Sequence, residues 1–186
     1  VGGFIGYNDG DTYITRTARI YTGLSVNDYT PNTTVDNGKI VAGENVGGFI
    51  GENAEGKILH IGTDEYAGTS YGTEDSRADI RLGSSVDGAS NVGGFLGYNG
   101  GYFLGEYCTI INSGSVGSAD SSKGTASDAT QNFGGVIGYA IPGSEISLSE
   151  QASIENNGQI GHESFKPSYQ QFVGGIIGAS YGRITI

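Results

Sequence analysis

The residues able to do chemistry are few, and their spacing scatters them. His60 and His162 are the two imidazoles of the chain and Cys108 is its single thiol. A catalytic metal needs several such donors converging on one point, and no such set is visible. His60 alternates with Leu59 and Ile61, which reads as a strand residue on a polar face. Cys108 would need a neighbouring base and an electropositive pocket to act as a nucleophile. It stands instead where Ala18, Ala78 and Ala152 stand in an aligned element, so it reads as a small inward residue in a stack. The acids Asp64, Glu65, Glu74, Asp75 and Asp79 lie close in sequence to Arg77 and Arg81. Converging acids and a base are what a polysaccharide-cleaving β-helix would need, whereas a charged loop held in water is the plainer reading. Asp9-Gly10-Asp11 and Asp64-Glu65 offer oxygens for weakly held structural calcium. The calcium-binding repeat Gly-Gly-x-Gly-x-Asp is absent, because Gly2-Gly3 is followed by Phe4-Ile5-Gly6. The expectation is therefore a non-enzyme with no catalytic residues, no metal site and no cofactor, structural calcium being the one weak exception.

Binding is the better-supported chemistry. Tyr29, Tyr66, Tyr71, Phe165 and Tyr169 fall among Asp, Asn, Ser and Gln in three of the four segments that interrupt a repeat. Aromatic faces stack on sugar rings or peptide side chains, and nearby carboxamides bond hydroxyls. Loops on one edge of a solenoid often carry its binding surface. These five residues are the candidate ligand-binding set, for a host glycan or protein. Sealing of the loops onto the scaffold is the competing role for each.

The elements that would position them follow from a hexapeptide that occurs five times. It reads apolar-Gly-Gly-apolar-apolar-Gly and begins at Val1, Val46, Val92, Phe133 and Val173, at intervals of 45, 46, 41 and 40 residues. Such a period marks stacked structural units. Each copy is followed by a turn rich in Asn and Gly, suited to a tight reversal, and by a second apolar strand. A third element reads small-x-Ile, then Val or Ile eight residues after the small residue. It runs from Ala18 to Val26, Ala78 to Val86, Cys108 to Val116 and Ala152 to Ile160. No segment shows helical apolar spacing.

Three short strands per repeat without helices predict an all-β fold, a β-solenoid (β-helix) of four coils plus a partial fifth, forming a single domain over residues 1–186. At about 4.8 Å per rung it would stand roughly 20 Å tall. Two ladders are expected, one of Phe4, Phe49, Phe95, Val136 and Ile176 and one of Ile5, Ile50, Leu96, Ile137 and Ile177. Successive strand residues point to opposite faces, so one ladder should fill the interior and the other face outward. Insertions are expected over 27–45, 62–77, 117–132 and 161–172, three of them at the corner before a hexapeptide. A sandwich or barrel of repeated hairpins is the alternative architecture.

Composition narrows the partners. Gly contributes 35 of 186 residues and Pro only 3, which excludes a collagen pattern and argues against a Pro-rich disordered chain. The net charge of −11 repels phosphate backbones and anionic lipid, so neither nucleic acid nor direct membrane insertion is expected. No apolar run approaches the roughly 18 residues of a membrane span. The chain contains no Met, and it reads as a fragment or processed product of a longer chain. One cysteine cannot form an internal disulfide, which leaves the redox compartment open.

The hexapeptide, the Asn-Gly turn and the small-x-Ile…Gly-x-Val element together resemble the GLUG repeat, named for its Gly-Leu-apolar-Gly core. Here that core is Gly3-Phe4-Ile5-Gly6, Gly48-Phe49-Ile50-Gly51, Gly94-Phe95-Leu96-Gly97, Gly135-Val136-Ile137-Gly138 and Gly175-Ile176-Ile177-Gly178, with no Leu at the second place. The resemblance implies a secreted or surface-anchored bacterial protein. Such repeats occur in adhesin-like chains and beside the protease domain of IgA-cleaving metallopeptidases. No His-Glu-x-x-His occurs here, so the protease chemistry does not carry over. The resemblance points to a stalk or adhesive module whose partners are other domains of its chain or further copies of itself. Incomplete coils at either end would be sticky edges, which opens a second role as a self-assembling fibre subunit.

Overall fold

The computed structural model describes residues 1–22, 39–64, 76–117, 131–161 and 171–186. Among these the chain is all-β, and every strand pairing is parallel. Parallel neighbours cannot be joined by hairpins, so the sandwich of hairpins is discarded. The third repeat shows the path. Ser90–Gly93 leads into a bend at Gly94 and Phe95, then Leu96–Asn99, Tyr102–Gly105 and Cys108–Asn112 follow, and Val116 makes an isolated bridge. The other repeats trace the same path, and each lays its strands beside those of the repeat before it.

Five parallel sheets result among the described residues, the smallest a pair of Lys39–Val41 and Ser85–Asp87. Sheet I contains Ile5–Asn8, Ile50–Asn53, Leu96–Asn99, Ile137–Ala140 and Ile177–Ser180 in that spatial order. Sheet II contains Glu44–Gly47, Ser90–Gly93, Gln131–Gly134 and Gln171–Gly174. Sheet III contains Thr12–Thr15, Ile58–Thr63, Tyr102–Gly105, Glu145–Leu148 and Arg183–Thr185, and sheet IV contains Arg19–Thr22, Ala78–Leu82, Cys108–Asn112 and Ala152–Asn156. Strand order follows chain order in each, giving a β-solenoid-like fold. The predicted columns exist: Ile5, Ile50, Leu96, Ile137 and Ile177 pair in register, as do Ala78, Cys108 and Ala152.

The hexapeptide differs from its sequence reading. It is two strands rather than one, broken at its second glycine and the residue after it. The break resets the alternation of side chains, so both expected ladders point inward. Phe49, Ile50, Phe95, Leu96, Val136 and Ile137 are all fully buried in one core, which sheets III and IV complete with Leu59, Ile61, Ile80, Phe103 and Ile110. The phenylalanines stack along the axis, Phe4 on Phe49 at 4.9 Å and Phe49 on Phe95 at 5.1 Å between ring centroids. The hexapeptide's leading residues Val46, Val92 and Phe133 turn into a second, smaller core with Val86 and Val116. Thus, among the described residues, neither of the two expected ladders is the outward-facing one.

Two further expectations are corrected by the pairing. Val26 was to begin the column of Val86, Val116 and Ile160, yet Ile40 is the residue that pairs with Val86. Val26 lies outside the described residues. The interruptions therefore do not gather at one corner. Residues 23–38 separate sheet IV from the Ile40 position, 65–75 separate sheets III and IV, and only 118–130 and 162–170 precede a hexapeptide.

Candidate functional site

The five aromatic residues predicted to bind a ligand, Tyr29, Tyr66, Tyr71, Phe165 and Tyr169, all lie outside the described residues, as does His162. The described chemistry-bearing residues are engaged in structure. Cys108 is fully buried, and that burial pushes its thiol up to about 12, the nearby Glu106 adding to the effect and Arg77 opposing it. The thiolate that a nucleophile requires is thus disfavoured. His60 Nε2 lies 3.4 Å from a Glu106 carboxylate oxygen, with the Tyr13 ring 6.3 Å from its own. Asp64 pairs with Arg16 at 2.7 Å, and that guanidinium sits 5.2 Å from the centre of the Tyr107 ring. Asp79 accepts from Arg81 Nε at 3.0 Å and from the Tyr21 hydroxyl at 2.9 Å. Asp11 accepts from the Ile58 amide at 3.0 Å. Asp64 and Asp79 are therefore held by separate arginines, and among the described residues no three His, Cys, Asp or Glu converge as a metal site would require.

What the fold does assemble is an aromatic flank outside sheet I. The residue after the third glycine of the hexapeptide faces outward, forming the register column Tyr7, Glu52, Tyr98, Tyr139 and Ala179. Tyr98 and Tyr139 meet at 5.9 Å between centroids, and Tyr181 adds its edge to Tyr139 at 6.0 Å and 74°. Burial, with Glu52, Tyr139 and Glu55 nearby, raises the Tyr98 phenol above its ordinary value. Beside this flank opens a groove of about 410 Å³ lined by Asn91, Asn132, Tyr139, Pro142 and Tyr181. The T-shaped meeting of two rings is a favoured aromatic geometry, and here it leaves a notch rather than a flat plate.

The groove's polar side is one end of a hydrogen-bonded amide chain. Asn132 Nδ2 donates to Asn91 Oδ1 at 2.7 Å, Asn91 Nδ2 to Asn45 Oδ1 at 2.8 Å, and Asn45 Nδ2 to the Glu52 carboxylate at 2.8 Å. Asn45 and Asn91 hold this line from left-handed backbone at φ 52°, a conformation asparagine tolerates better than most residues. A carboxylate can only accept, so Glu52 fixes the direction of every amide behind it. The last oxygen, Asn132 Oδ1, is buried and has no donor. Leaving an acceptor so placed costs about 1–3 kcal/mol.

A separate amide column runs inside the stack and shows the satisfied version. Asn8 Nδ2 donates to Asn53 Oδ1 at 2.8 Å and Asn53 Nδ2 to Asn99 Oδ1 at 2.9 Å, and Asn99 Nδ2 ends on the Gly101 and Glu145 carbonyls. It holds the turn after sheet I in place and leaves no oxygen waiting. Sequence reasoning missed the groove, although its marks are legible: Asn immediately precedes the hexapeptide at Asn45, Asn91 and Asn132, and Tyr immediately follows it at Tyr7, Tyr98 and Tyr139. Comparison of the chain with family models, curated proteins and solved structures gives no match.

Proposed function

We propose that this chain is a non-enzymatic structural and adhesive module of a bacterial surface protein, displayed outside the cell as a stalk or ligand-presenting scaffold. The observation that carries the reading is the axial continuity of its interior: the same positions of successive repeats stack from Phe4 to Phe49 to Phe95 and from Ile5 through Ile177. Four coils and a partial fifth built this way make a short rod. Each coil leans only on its neighbours, so length can be added without redesigning a core. The extracellular bacterial setting rests on the resemblance to GLUG repeats, and the charge of −11 favours a soluble, exposed surface. Cys108, Asp64 and Asp79 are each committed to packing or pairing, which favours a scaffold over a polysaccharide-cleaving enzyme.

The test is mechanical and chemical. Tethered at Val1 and Ile186, the chain should unfold under force in steps of one or a few coils and should release no reducing ends from acidic polysaccharides. Release of reducing ends would sink the non-enzymatic reading in favour of the lyase.

A second reading has its own observation. Phe4 is 59% exposed and Val173 51%, whereas their buried equivalents Phe49 and Val92 are at 0%. Covering those positions by another repeat of the same chain or by a second copy would make a fibre subunit. Sedimentation that depends on concentration would favour it.

A further inference from the structure

We infer that Asn157 is a self-modifying site, whose carboxamide converts without an enzyme to aspartate and isoaspartate. The chemistry is that of an Asn-Gly pair. The main-chain nitrogen of the following residue attacks the carboxamide carbon, and glycine, having no Cβ, leaves that approach open. The sequence holds three such pairs, Asn37-Gly38, Asn99-Gly100 and Asn157-Gly158. The first lies outside the described residues. The structure sets the other two apart.

Asn99 is locked. It is fully buried, its Oδ1 accepts from Asn53, and its Nδ2 donates to the Gly101 and Glu145 carbonyls. The Gly100 amide, which would supply the attacking nitrogen, donates to the Asn53 carbonyl at 2.8 Å. Asn157 is open. It is exposed, and among the described residues neither its side chain nor the Gly158 amide has a hydrogen-bond partner. The carbon to be attacked and the nitrogen that attacks it are therefore both free. The fold also keeps the labile pair together. Asn156 pairs with Asn112, so Gly158 stands beside Gly114, and a Cβ on Gly158 would run into the Gly114 carbonyl oxygen. The residue after Asn157 must stay glycine, while Ser113 fills the place of Asn157 one repeat earlier.

The reaction needs only water and hydroxide. The Gly158 nitrogen gives up its proton and bonds to Asn157 Cγ. The Cγ–Nδ2 bond breaks, and ammonia leaves with a proton drawn from water. Water then opens the cyclic imide that remains. Attack at Cγ gives aspartate. Attack at the main-chain carbonyl carbon gives isoaspartate, in which the chain runs through the side chain and is longer by a methylene. That extra link falls just before the rung where the Val116 amide donates to the Gln159 carbonyl and the Gly161 amide to the Val116 carbonyl, each at 2.8 Å. It also shifts the Gly158 carbonyl away from Asn156 Nδ2, its donor at 3.0 Å. Isoaspartate thus loosens the Val116–Ile160 bridge beside the second core, whereas aspartate leaves the chain path unchanged.

The test ages the intact chain at pH 8 and follows each Asn-Gly pair by peptide mapping. Mass reads the exchange of –NH2 for –OH, and an isoaspartate-specific methyltransferase reads the rearranged product. The same chain held in denaturant supplies the open-chain rates. In the folded chain Asn157 should convert about tenfold faster than Asn99 or more, because Asn99 reacts only through local openings. In denaturant the two rates should converge. Equal rates at Asn157 and Asn99 in the folded chain, or no conversion at Asn157 while the denatured chain converts, would overturn the assignment. Amide exchange at Val116 and Gly161 should quicken about tenfold in the isoaspartate fraction. It should stay unchanged in Asn157→Asp, which keeps the chain path, and in Asn157→Ser, which borrows the residue of the preceding repeat and cannot react. Unchanged exchange in the isoaspartate fraction would overturn the loosening. Neither arm depends on the adhesive reading.

Discussion

At the scale of single residues, position in a column decides chemistry. Cys108 lies between Ala78 and Ala152 in sheet IV, and its thiol, pushed to about 12 from an ordinary 9.0, titrates late. The folded value lies above the unfolded one. The neutral thiol's contribution to stability is therefore whole below about pH 9 and is lost as pH climbs from there toward 12. We expect a thiol reagent at pH 8 to label Cys108 only at the rate of unfolding, with full labelling in denaturant. Cys108→Ala should cost about 1 kcal/mol or less in a denaturant melt, since alanine already fills the same site in the repeats on either side. It should also flatten the loss of stability above pH 9. Rapid native labelling would contradict the burial. This equivalence was legible from spacing alone, because four aligned copies carried the same pattern. Asn132 was not, because an orphaned oxygen is a property of a network whose members lie 41 and 46 residues apart.

At the scale of the elements, the hexapeptide's glycines are demanded by neighbours rather than by unusual dihedrals. A Cβ on Gly97 would stand 2.5 Å from the Val46 nitrogen and 2.6 Å from the Gly51 oxygen, both backbone atoms of the preceding repeat, whereas one on Gly6 meets nothing within 4 Å. Gly97→Ala should therefore destabilise by about 3 kcal/mol, and Gly6→Ala should be neutral within about 0.5 kcal/mol. A thermal melt of the two variants checks the contrast, and equal shifts would remove the close approach as the reason for the motif. The same elements show where sequence reading stopped. Alternation along an unbroken strand would send Phe95 and Leu96 to opposite faces, but the bend at Gly94 turns both inward. Ile40 was missed for a different reason. Val26 sits at the expected spacing from Ala18, and spacing cannot reveal that the chain reaches the column only at Ile40. The aromatic flank escaped notice because Glu52 and Ala179 interrupt its tyrosines, and because Tyr181 joins them from the following turn.

At the scale of the whole molecule, stability should grade along the axis. Leu96–Asn99 has a paired strand on both sides and Phe95 packs against Phe49 and Phe103, while Ile5–Asn8 and Ile177–Ser180 pair on one side only. In a stack held by nearest-neighbour contacts, opening begins where one neighbour is missing. Amide hydrogen exchange should accordingly be slowest in Leu96–Asn99 and Tyr102–Gly105 and fastest in Ile5–Asn8 and Arg183–Thr185. Uniform protection from end to end would instead indicate a single all-or-none unit.

The described strands on either side of residues 23–38, 65–75, 118–130 and 162–170 keep the same columns from repeat to repeat. Alignment is thus fixed by side chains meeting their counterparts one storey away, and the length of the detour between them is free to vary. Doubling a detour adds only about 0.6 kcal/mol of closure entropy. Foreign peptides could be grafted into any of these four places, at heights and bearings chosen in advance, without redrawing the column beneath them.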